Sequence, residues 1–147
     1  MPLIKWNDKK MSIHVSELDR QHHKMADMIN ELYEAIEAKA QKELLAQLLI
    51  KLVHYTRHHF ATEERYFDEY GYPDAVAHTL EHDQLRAKVA NLDENYYKGD
   101  RMLTYDAIGL LNEWISKHTA ITDKKFGIFV MTRTHAGWQD LRDVSSV

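Results

Sequence analysis

The sequence predicts an all-α protein that folds as an antiparallel up-down-up-down four-helix bundle, with an N-terminal arm and a C-terminal tail or short helix. Its 147 residues include only five glycines and two prolines, so few breaks interrupt the long runs of helix-forming residues. Four of these runs carry apolar residues at helical spacing. The connections between the runs are short, which makes neighbouring helices antiparallel.

Local signals place the first half of the bundle. Residues 1–15 form a leading arm, and the Ser16 to Asp19 segment is typical of a capping box that opens a helix. This first helix is predicted to end at about Ala38. The second helix is predicted to span roughly Lys42 to Tyr70.

One turn sequence and the break at residues 98–100 place the second half of the bundle. The GYPD sequence at residues 71–74 ends the second helix and starts the third, because proline is tolerated in a first helical turn but not inside a helix. The third helix is predicted to run to about Tyr97, and the fourth from about Leu103 to the region of Asp123. Residues 124–147 form the tail.

The composition indicates one domain, with the bundle at about residues 16–123, and it narrows the possible functions. Hydrophobic residues make up 44% and charged residues 29% of the chain, a balance typical of a globular protein with one core. The net charge of -4 comes without a basic stripe, which argues against nucleic-acid binding. Cysteine is absent, so any metal must be bound by nitrogen and oxygen. We expect no membrane span and no secretion signal, and a cytoplasmic location.

Histidines are numerous, and their helical positions separate two kinds. There are ten in the chain. Five of them and one glutamate fall on the apolar faces of the four predicted helices: His22, His59, Glu63, His78, His82 and His118. Burying so many polar groups is costly unless each finds a partner, and a metal would satisfy them together. Imidazole and carboxylate suit iron, zinc, copper or manganese, and the number of ligands suggests two ions.

The remaining histidines have a simpler interpretation. His54 and His58 form a His-x-x-x-His pair on an outward helix face, where solvated surface is the expected state. His14, His23 and His135 are expected to be solvated in the same way. One such pair is weak evidence of a metal site, so the prediction depends on the joint pattern.

The joint pattern resembles the hemerythrin family, and specifically the single-domain bacterial hemerythrins. The matching segments are DRQH at 19–22, HFATEE at 59–64, GYP at 71–73, His78-x-x-x-His82, and Trp114-x-x-x-His118-x-x-x-x-Asp123. The resemblance covers about Trp6 to Lys125. These segments are specific because they agree in order and spacing over nearly the whole bundle.

The resemblance implies a pair of irons bridged by two carboxylates and an oxo or hydroxo group. Three histidines would bind one iron, two the other, and both carboxylates would bridge: His78, His82 and His118; His22 and His59; Glu63 and Asp123. The iron with fewer ligands would keep a position open for dioxygen. The implied function is reversible dioxygen binding for carriage, storage or delivery, without catalysis and with an unidentified recipient. Iron occupancy is expected to fall below about pH 6, because imidazole must be neutral to bind metal.

Four apolar residues lie within a turn of an implied ligand. We expect Met25, Phe60, Trp114 and Ile115 to form an oxygen pocket whose apolar wall excludes water and stray protons. Ordinary core packing is the alternative role for these residues, and the two roles are compatible.

The spacing of His118 and Asp123 predicts a distorted helix. Residues five apart diverge by about 140° on an ideal α-helix, so both can face one metal pair only if the helix widens or ends there. The tail beyond Phe126 is longer than the resemblance covers. Its apolar residues are expected to pack on the bundle or to bind a partner: Ile128, Phe129, Val130, Met131, Trp138 and Leu141.

Other functions remain open. A di-iron oxidase or ferroxidase shares the bundle, but such sites use Glu-x-x-His motifs, and this sequence has none. A zinc hydrolase would need His-Glu-x-x-His, which is also missing. An oxygen or redox sensor could use the same site through a separate partner protein.

Overall fold

The computed structural model describes residues 2–96 and 101–133. Within these ranges the chain is helical and contains no strand. The helices are α1 Asp8–Met11, α2 Ser16–Glu37, α3 Lys42–Tyr70, α4 Ala75–Tyr96 and α5 Arg101–Lys117, followed by a π-helix at His118–Asp123 and helical residues 124–133. Among residues 2–96 and 101–133, no helix has both the length and the hydropathy of a membrane span.

Four long helices form the bundle that the sequence predicts. Helix α2 packs against α3 and α5, while α4 packs against α3 and α5, so the four close into a ring. Their interior holds a main apolar cluster that includes Met25, Leu52, Phe60, Leu85 and Leu111. The antiparallel arrangement follows from the short connections, and the predicted fold class is confirmed.

Most predicted boundaries agree with the structure. Helix α3 has the predicted bounds, and Gly71 ends it with a φ of 61°, a left-handed conformation that favours glycine. Helix α5 begins two residues earlier than predicted, and the helical run continues through the π-helix to residue 133, beyond the predicted end near Asp123. The predicted end of the third helix at Tyr97 lies outside the described residues.

The predicted capping box is wrong. Ser16 is already helical, and Val15 occupies the N-cap position, with no capping side chain among the described residues. The Asp19 carboxylate instead accepts hydrogen bonds from the Ser12 hydroxyl at 2.6 Å and the Ile13 N–H at 2.8 Å. The folded arm brings these donors to Asp19, and their partnership is not visible from the spacing of residues 16 and 19.

The arm and the start of the tail share a second apolar cluster. Ile13 and Val15 from the arm pack with Phe67 of α3 and with Phe126 and Val130. Of the predicted tail residues, Val130 is buried in this cluster and Phe129 packs against it, so packing of the tail on the bundle is confirmed at these two positions. Ile128 and Met131 are exposed, and the predicted residues Trp138 and Leu141 lie outside the described ranges.

Candidate metal centre

The seven predicted ligands are all buried and lie together. Their exposed fractions are between 0 and 4%: His22, His59, Glu63, His78, His82, His118 and Asp123. They come from α2, α3, α4 and the π-helix. Ligand atoms within 4.8 Å of one another define two overlapping groups, and Glu63 and Asp123 belong to both.

The first group has three histidines and is called here the three-histidine cluster: His78, His82 and His118. Nε2 of His118 lies 3.0 Å from Nε2 of His78 and 3.2 Å from Nε2 of His82. Nitrogen ligands about 2.1 Å from one ion and at right angles are about 3 Å apart. The spacing of the three nitrogens therefore suits a single metal ion.

The second group is called the two-histidine cluster: His22 and His59. Nε2 of His22 lies 3.0 Å from Oδ2 of Asp123, and Nε2 of His59 lies 3.3 Å from Oε2 of Glu63. Their rings meet edge to face, with centroids 4.5 Å apart. This cluster has one imidazole fewer than the first.

Each shared carboxylate directs one oxygen to each cluster. Glu63 places Oε1 at 3.4 Å from Nε2 of His78, while its Oε2 faces His59. Asp123 places Oδ1 at 2.9 Å from Nε2 of His118, while its Oδ2 faces His22. A carboxylate with its two oxygens directed to two ligand groups has the arrangement of a bridge between two ions.

The π-helix makes the contribution of Asp123 possible. Residues His118–Asp123 form this wider turn, and the Lys124 N–H bonds to the Thr119 carbonyl five residues earlier. A widened turn brings residues five apart close to alignment, so His118 and Asp123 both face the bundle interior. The distortion predicted between these two residues is confirmed.

The donor atoms of the site require a cation or protons. Among the described residues, both nitrogens of His22 and all four oxygens of Glu63 and Asp123 are buried without a hydrogen bond of good geometry. Buried polar atoms are normally satisfied, because an unpaired one loses its hydration without compensation. Imidazole and carboxylate at metal-ligand spacing therefore fit transition-metal ions.

The pKa values in the metal-free protein indicate the same need. Burial alone lowers the pKa of His78, but the adjacent carboxylates of Asp123 and Glu63 outweigh burial and raise it to about 9. Burial opposes ionisation of Asp123 and Glu63, yet the surrounding histidines hold the pKa of each carboxyl below its ordinary value. Burial lowers the pKa of His59. Protons thus balance the carboxylates where a metal would otherwise do so.

Sequence reasoning did not assign three polar residues that support the histidines from behind. Oε1 of Gln21 lies 2.7 Å from Nδ1 of His59, and Oε2 of Glu64 lies 3.0 Å from Nδ1 of His82. Oε1 of Glu81 lies 3.2 Å from Nδ1 of His118. Such acceptors fix the orientation of the imidazole rings and leave Nε2 for the metal.

These acceptors follow a rule around the bundle. Each one neighbours a predicted ligand of its own helix in the sequence, and each pairs with a histidine of the next element. Gln21 of α2 pairs with α3, Glu64 of α3 pairs with α4, and Glu81 of α4 pairs with the π-helix. The sequence shows that each of these residues lies beside a ligand. It does not show which helix each of them would face.

The four predicted oxygen-pocket residues divide between two places. Phe60 stacks on His82, with centroids 3.9 Å apart, and Trp114 stacks on His118 at 4.2 Å. Both rings therefore cover the three-histidine cluster. Ile115 lines a cleft beside His22, and Met25 is buried in the main apolar cluster. Their role as a wall around dioxygen stays a prediction.

The histidines predicted to lie at the surface do so. His14, His23, His54 and His58 are exposed. His135 lies outside the described residues. Helical position in the sequence therefore distinguished the buried histidines from the solvated ones.

A four-helix bundle that gathers five buried imidazoles and two buried carboxylates is typical of non-haem metal proteins. The sequence matches the Hemerythrin HHE cation binding domain over residues 14–127. The chain belongs to the hemerythrin family.

Individual relatives and solved structures agree with the family assignment. The chain is 30% identical over 127 residues to a bacteriohemerythrin of Methylococcus capsulatus, covering 86% of this chain and 96% of that one. It is 28% identical over 126 residues to a bacteriohemerythrin of Stenotrophomonas maltophilia, covering 86% and 80%. A crystal structure of wild-type hemerythrin superimposes with a TM-score of 0.76 at 28% identity, covering 85% and 95%.

Proposed function

We propose that this protein binds dioxygen reversibly at two irons held by the seven buried side chains of the candidate metal centre. The observation that best supports this proposal is the orientation of the shared carboxylates. Glu63 and Asp123 each direct one oxygen to the three-histidine cluster and the other to the two-histidine cluster. Membership of the hemerythrin family supports iron as the metal. The relatives are named bacteriohemerythrin, and the resemblance to the hemerythrin family implies dioxygen as the ligand.

The two clusters would bind their irons with different numbers of ligand atoms, so one iron would stay more accessible than the other. The three-histidine cluster, with both carboxylates, would supply five ligand atoms to one iron. The two-histidine cluster, with the other two carboxylate oxygens, would supply four ligand atoms to the second iron. When bound, the pair of ferrous ions supplies an open coordination position and the electrons for reversible dioxygen binding.

Aromatic side chains cover part of the centre, and we expect them to limit the access of water. Phe60 and Phe67 cover rings of the three-histidine cluster, with Phe67 and His78 centroids 4.5 Å apart. Apolar walls limit proton delivery, which favours release of dioxygen unchanged. The two groups of ligand atoms contain only two carboxylates among the described residues, whereas bundle oxidases use a carboxylate-rich set. This composition favours binding over catalysis.

The test is an optical titration of the iron-loaded protein after reduction. We expect a visible absorption band to appear with air and to disappear under argon over repeated cycles. The His22→Ala variant is expected to lose this response, and His54→Ala, which changes an exposed histidine, is expected to keep it. A band that decays irreversibly while an added reductant is consumed would indicate an oxidase and contradict the proposal.

A further inference from the structure

Arg86 of α4 holds a fixed position beside the three-histidine cluster. Its Nη2 donates to Oε2 of Glu64 at 2.7 Å, and its Nη1 donates to Oδ1 of Asp83 at 2.8 Å. The guanidinium carbon also lies 5.1 Å from the centre of the Phe60 ring, within the range of a cation–π contact. Because the guanidinium is a planar group with a rigid fork of donors, these contacts fix its orientation.

Two of these contacts of Arg86 lead to His82. Oε2 of Glu64, which accepts from Arg86, also lies 3.0 Å from Nδ1 of His82. The Phe60 ring stacks on the His82 ring, with centroids 3.9 Å apart and an interplanar angle of 9°. Nε2 of His82 faces the other histidines of its cluster. The charge of Arg86 therefore reaches a predicted metal ligand through one shared oxygen atom and one stacked ring.

The other outer carboxylate of this cluster has different surroundings. Oε1 of Glu81 lies 3.2 Å from Nδ1 of His118, and both oxygens of Glu81 lie 3.0 Å from the Thr122 hydroxyl. Lys125 borders the same pocket, but it pairs with Asp74 at 2.8 Å. Within residues 2–96 and 101–133, no arginine or lysine forms an ion pair with Glu81. Glu81 thus presents its full charge to His118, whereas Glu64 shares its charge with Arg86.

This inequality affects how strongly each imidazole donates electrons. A carboxylate that accepts the N–H of a ligating imidazole makes the ring more basic, which stabilises the more oxidised state of a metal. A guanidinium that donates to the same oxygen neutralises part of that charge. The arginine therefore weakens the effect of the carboxylate and makes the reduced state of the metal relatively more stable.

We propose that Arg86 is a positioning residue that raises the reduction potential of the iron in the three-histidine cluster, acting on His82 through Glu64 and Phe60. This role rests on the proposed function, because it requires iron at His82. A higher potential favours the ferrous state, which must be recovered each time dioxygen leaves. Arg86 would therefore protect reversible binding against permanent oxidation of the centre.

The test is an anaerobic redox titration of the iron-loaded protein, followed by the absorbance of its ferric form. Arg86→Gln removes the positive charge and keeps a polar side chain. We expect the potential of one iron to fall by about 59 mV, which is a tenfold rise in its ferric-to-ferrous ratio at a fixed potential. An unchanged or raised potential in Arg86→Gln would overturn the proposal.

A matched control separates this contact from the general charge of the surface. Arg57 is exposed and borders the same gap between α3 and α4 as Arg86. Arg57→Gln changes the net charge by the same amount, and we expect it to change the ferric-to-ferrous ratio by less than about twofold, because exposed charges are screened by water and salt. Equal shifts in Arg57→Gln and Arg86→Gln would overturn the proposal.

A conservative variant separates charge from packing. Arg86→Lys keeps the positive charge but lacks the fork that joins Glu64 to Asp83. We expect both Arg86→Lys and Arg86→Gln to lower the melting temperature, and only Arg86→Gln to lower the potential by the full amount. If Arg86→Lys lowered the potential as much as Arg86→Gln, the cause would be lost packing and the proposal would be wrong.

The titration under argon does not depend on dioxygen binding. A lowered potential in Arg86→Gln, in a protein that shows no reversible response to air, would support this role of Arg86 and contradict the proposed function. A reversible response to air with the same potential in Arg86→Gln and the unaltered protein would support the proposed function and overturn this role.

Discussion

The two histidine clusters share both carboxylates but differ in what lies behind them. The three-histidine cluster is backed by the carboxylates of Glu64 and Glu81 and covered by the rings of Phe60 and Trp114. The two-histidine cluster is backed by the neutral amide of Gln21 at His59. Its other histidine, His22, borders an apolar cleft.

This difference suits the three-histidine cluster to holding a metal tightly and the two-histidine cluster to exposing a metal to an external ligand. Outer carboxylates make the imidazoles more basic and fix their rings, which strengthens metal binding. A covered, negatively supported cluster therefore suits a metal that stays fully ligated. A cluster with fewer ligands, neutral support and an adjacent cleft suits a metal that exchanges an external ligand.

The largest effect is expected from Asp123, because it serves both clusters. Asp123→Asn should reduce the iron content from two ions to at most one per chain. This loss is larger than the tenfold to hundredfold weakening of metal affinity that is typical when a hydrogen-bond partner of a ligand is removed. Asp106→Asn changes an exposed aspartate of α5 and should keep both ions. Metal analysis after desalting measures the result. Two tightly held ions in Asp123→Asn would contradict a bridging role.

The next effect concerns pH and the metal-free protein. The pKa of His78 is raised from 6.5 to about 9, so its protonation stabilises the fold fully below pH 6.5 and less and less as the pH rises through 9. The loss is on the order of 3 kcal/mol at most. The pKa of His59 is lowered by burial, so that residue opposes folding below pH 6.5.

The metal-free protein should therefore be most stable near pH 6.5, and its melting temperature should fall between pH 6.5 and 9. Iron affinity should rise over the same range, because each proton that leaves frees a ligand. Thermal melts with and without iron measure both trends. A metal-free melting temperature that rises steadily to pH 9 would contradict this account of the charges.

The side chains that pair with Nδ1 of the histidines should affect iron release from the two clusters unequally. Glu81→Gln removes the negative charge behind His118 and should speed iron release to a chelator by about tenfold to a hundredfold. Gln21→Ala removes only a neutral acceptor behind His59 and should have a smaller effect. Glu113→Gln, at an exposed position of α5, is the control. If Gln21→Ala releases iron faster than Glu81→Gln does, the assignment of the tighter cluster is wrong.

The smallest effect on the metal is expected from Gly127, where the arm meets the tail. A Cβ at this position would lie 2.1 Å from the Ile13 carbonyl oxygen. Gly127→Ala must displace the arm and should cost about 1–3 kcal/mol of stability, with iron content unchanged. Gly109→Ala is the control, because its Cβ would meet nothing within 4 Å among the described residues. Equal melting temperatures for the two variants would contradict close packing of the arm.

Much of the candidate site could be predicted because its signals lie along single helices. Helical spacing placed His59 with Glu63 and His78 with His82 on buried faces, and the family resemblance added Asp123. The five-residue interval from His118 required a widened turn, and the π-helix is present. Apart from Asp123, which came from the resemblance, the information came from neighbours on one helix.

The parts that could not be predicted depend on contacts between elements. The pairing of Gln21 with His59 joins residues 38 apart, and that of Glu81 with His118 joins residues 37 apart. Asp19 bonds to the arm rather than to Ser16, because the arm folds back over α2. The cleft exists only where that arm lies beside α2 and α5. Residue spacing along the chain contains no information on such contacts between separate elements.

We propose that Glu63 and Asp123 join two irons in unequal surroundings. Mössbauer spectroscopy of protein loaded with iron-57 and exposed to dioxygen, together with the iron content, tests this bridging. We expect two irons per chain and two distinct iron signals of equal area. One iron per chain, or two irons whose signals remain identical, would contradict it.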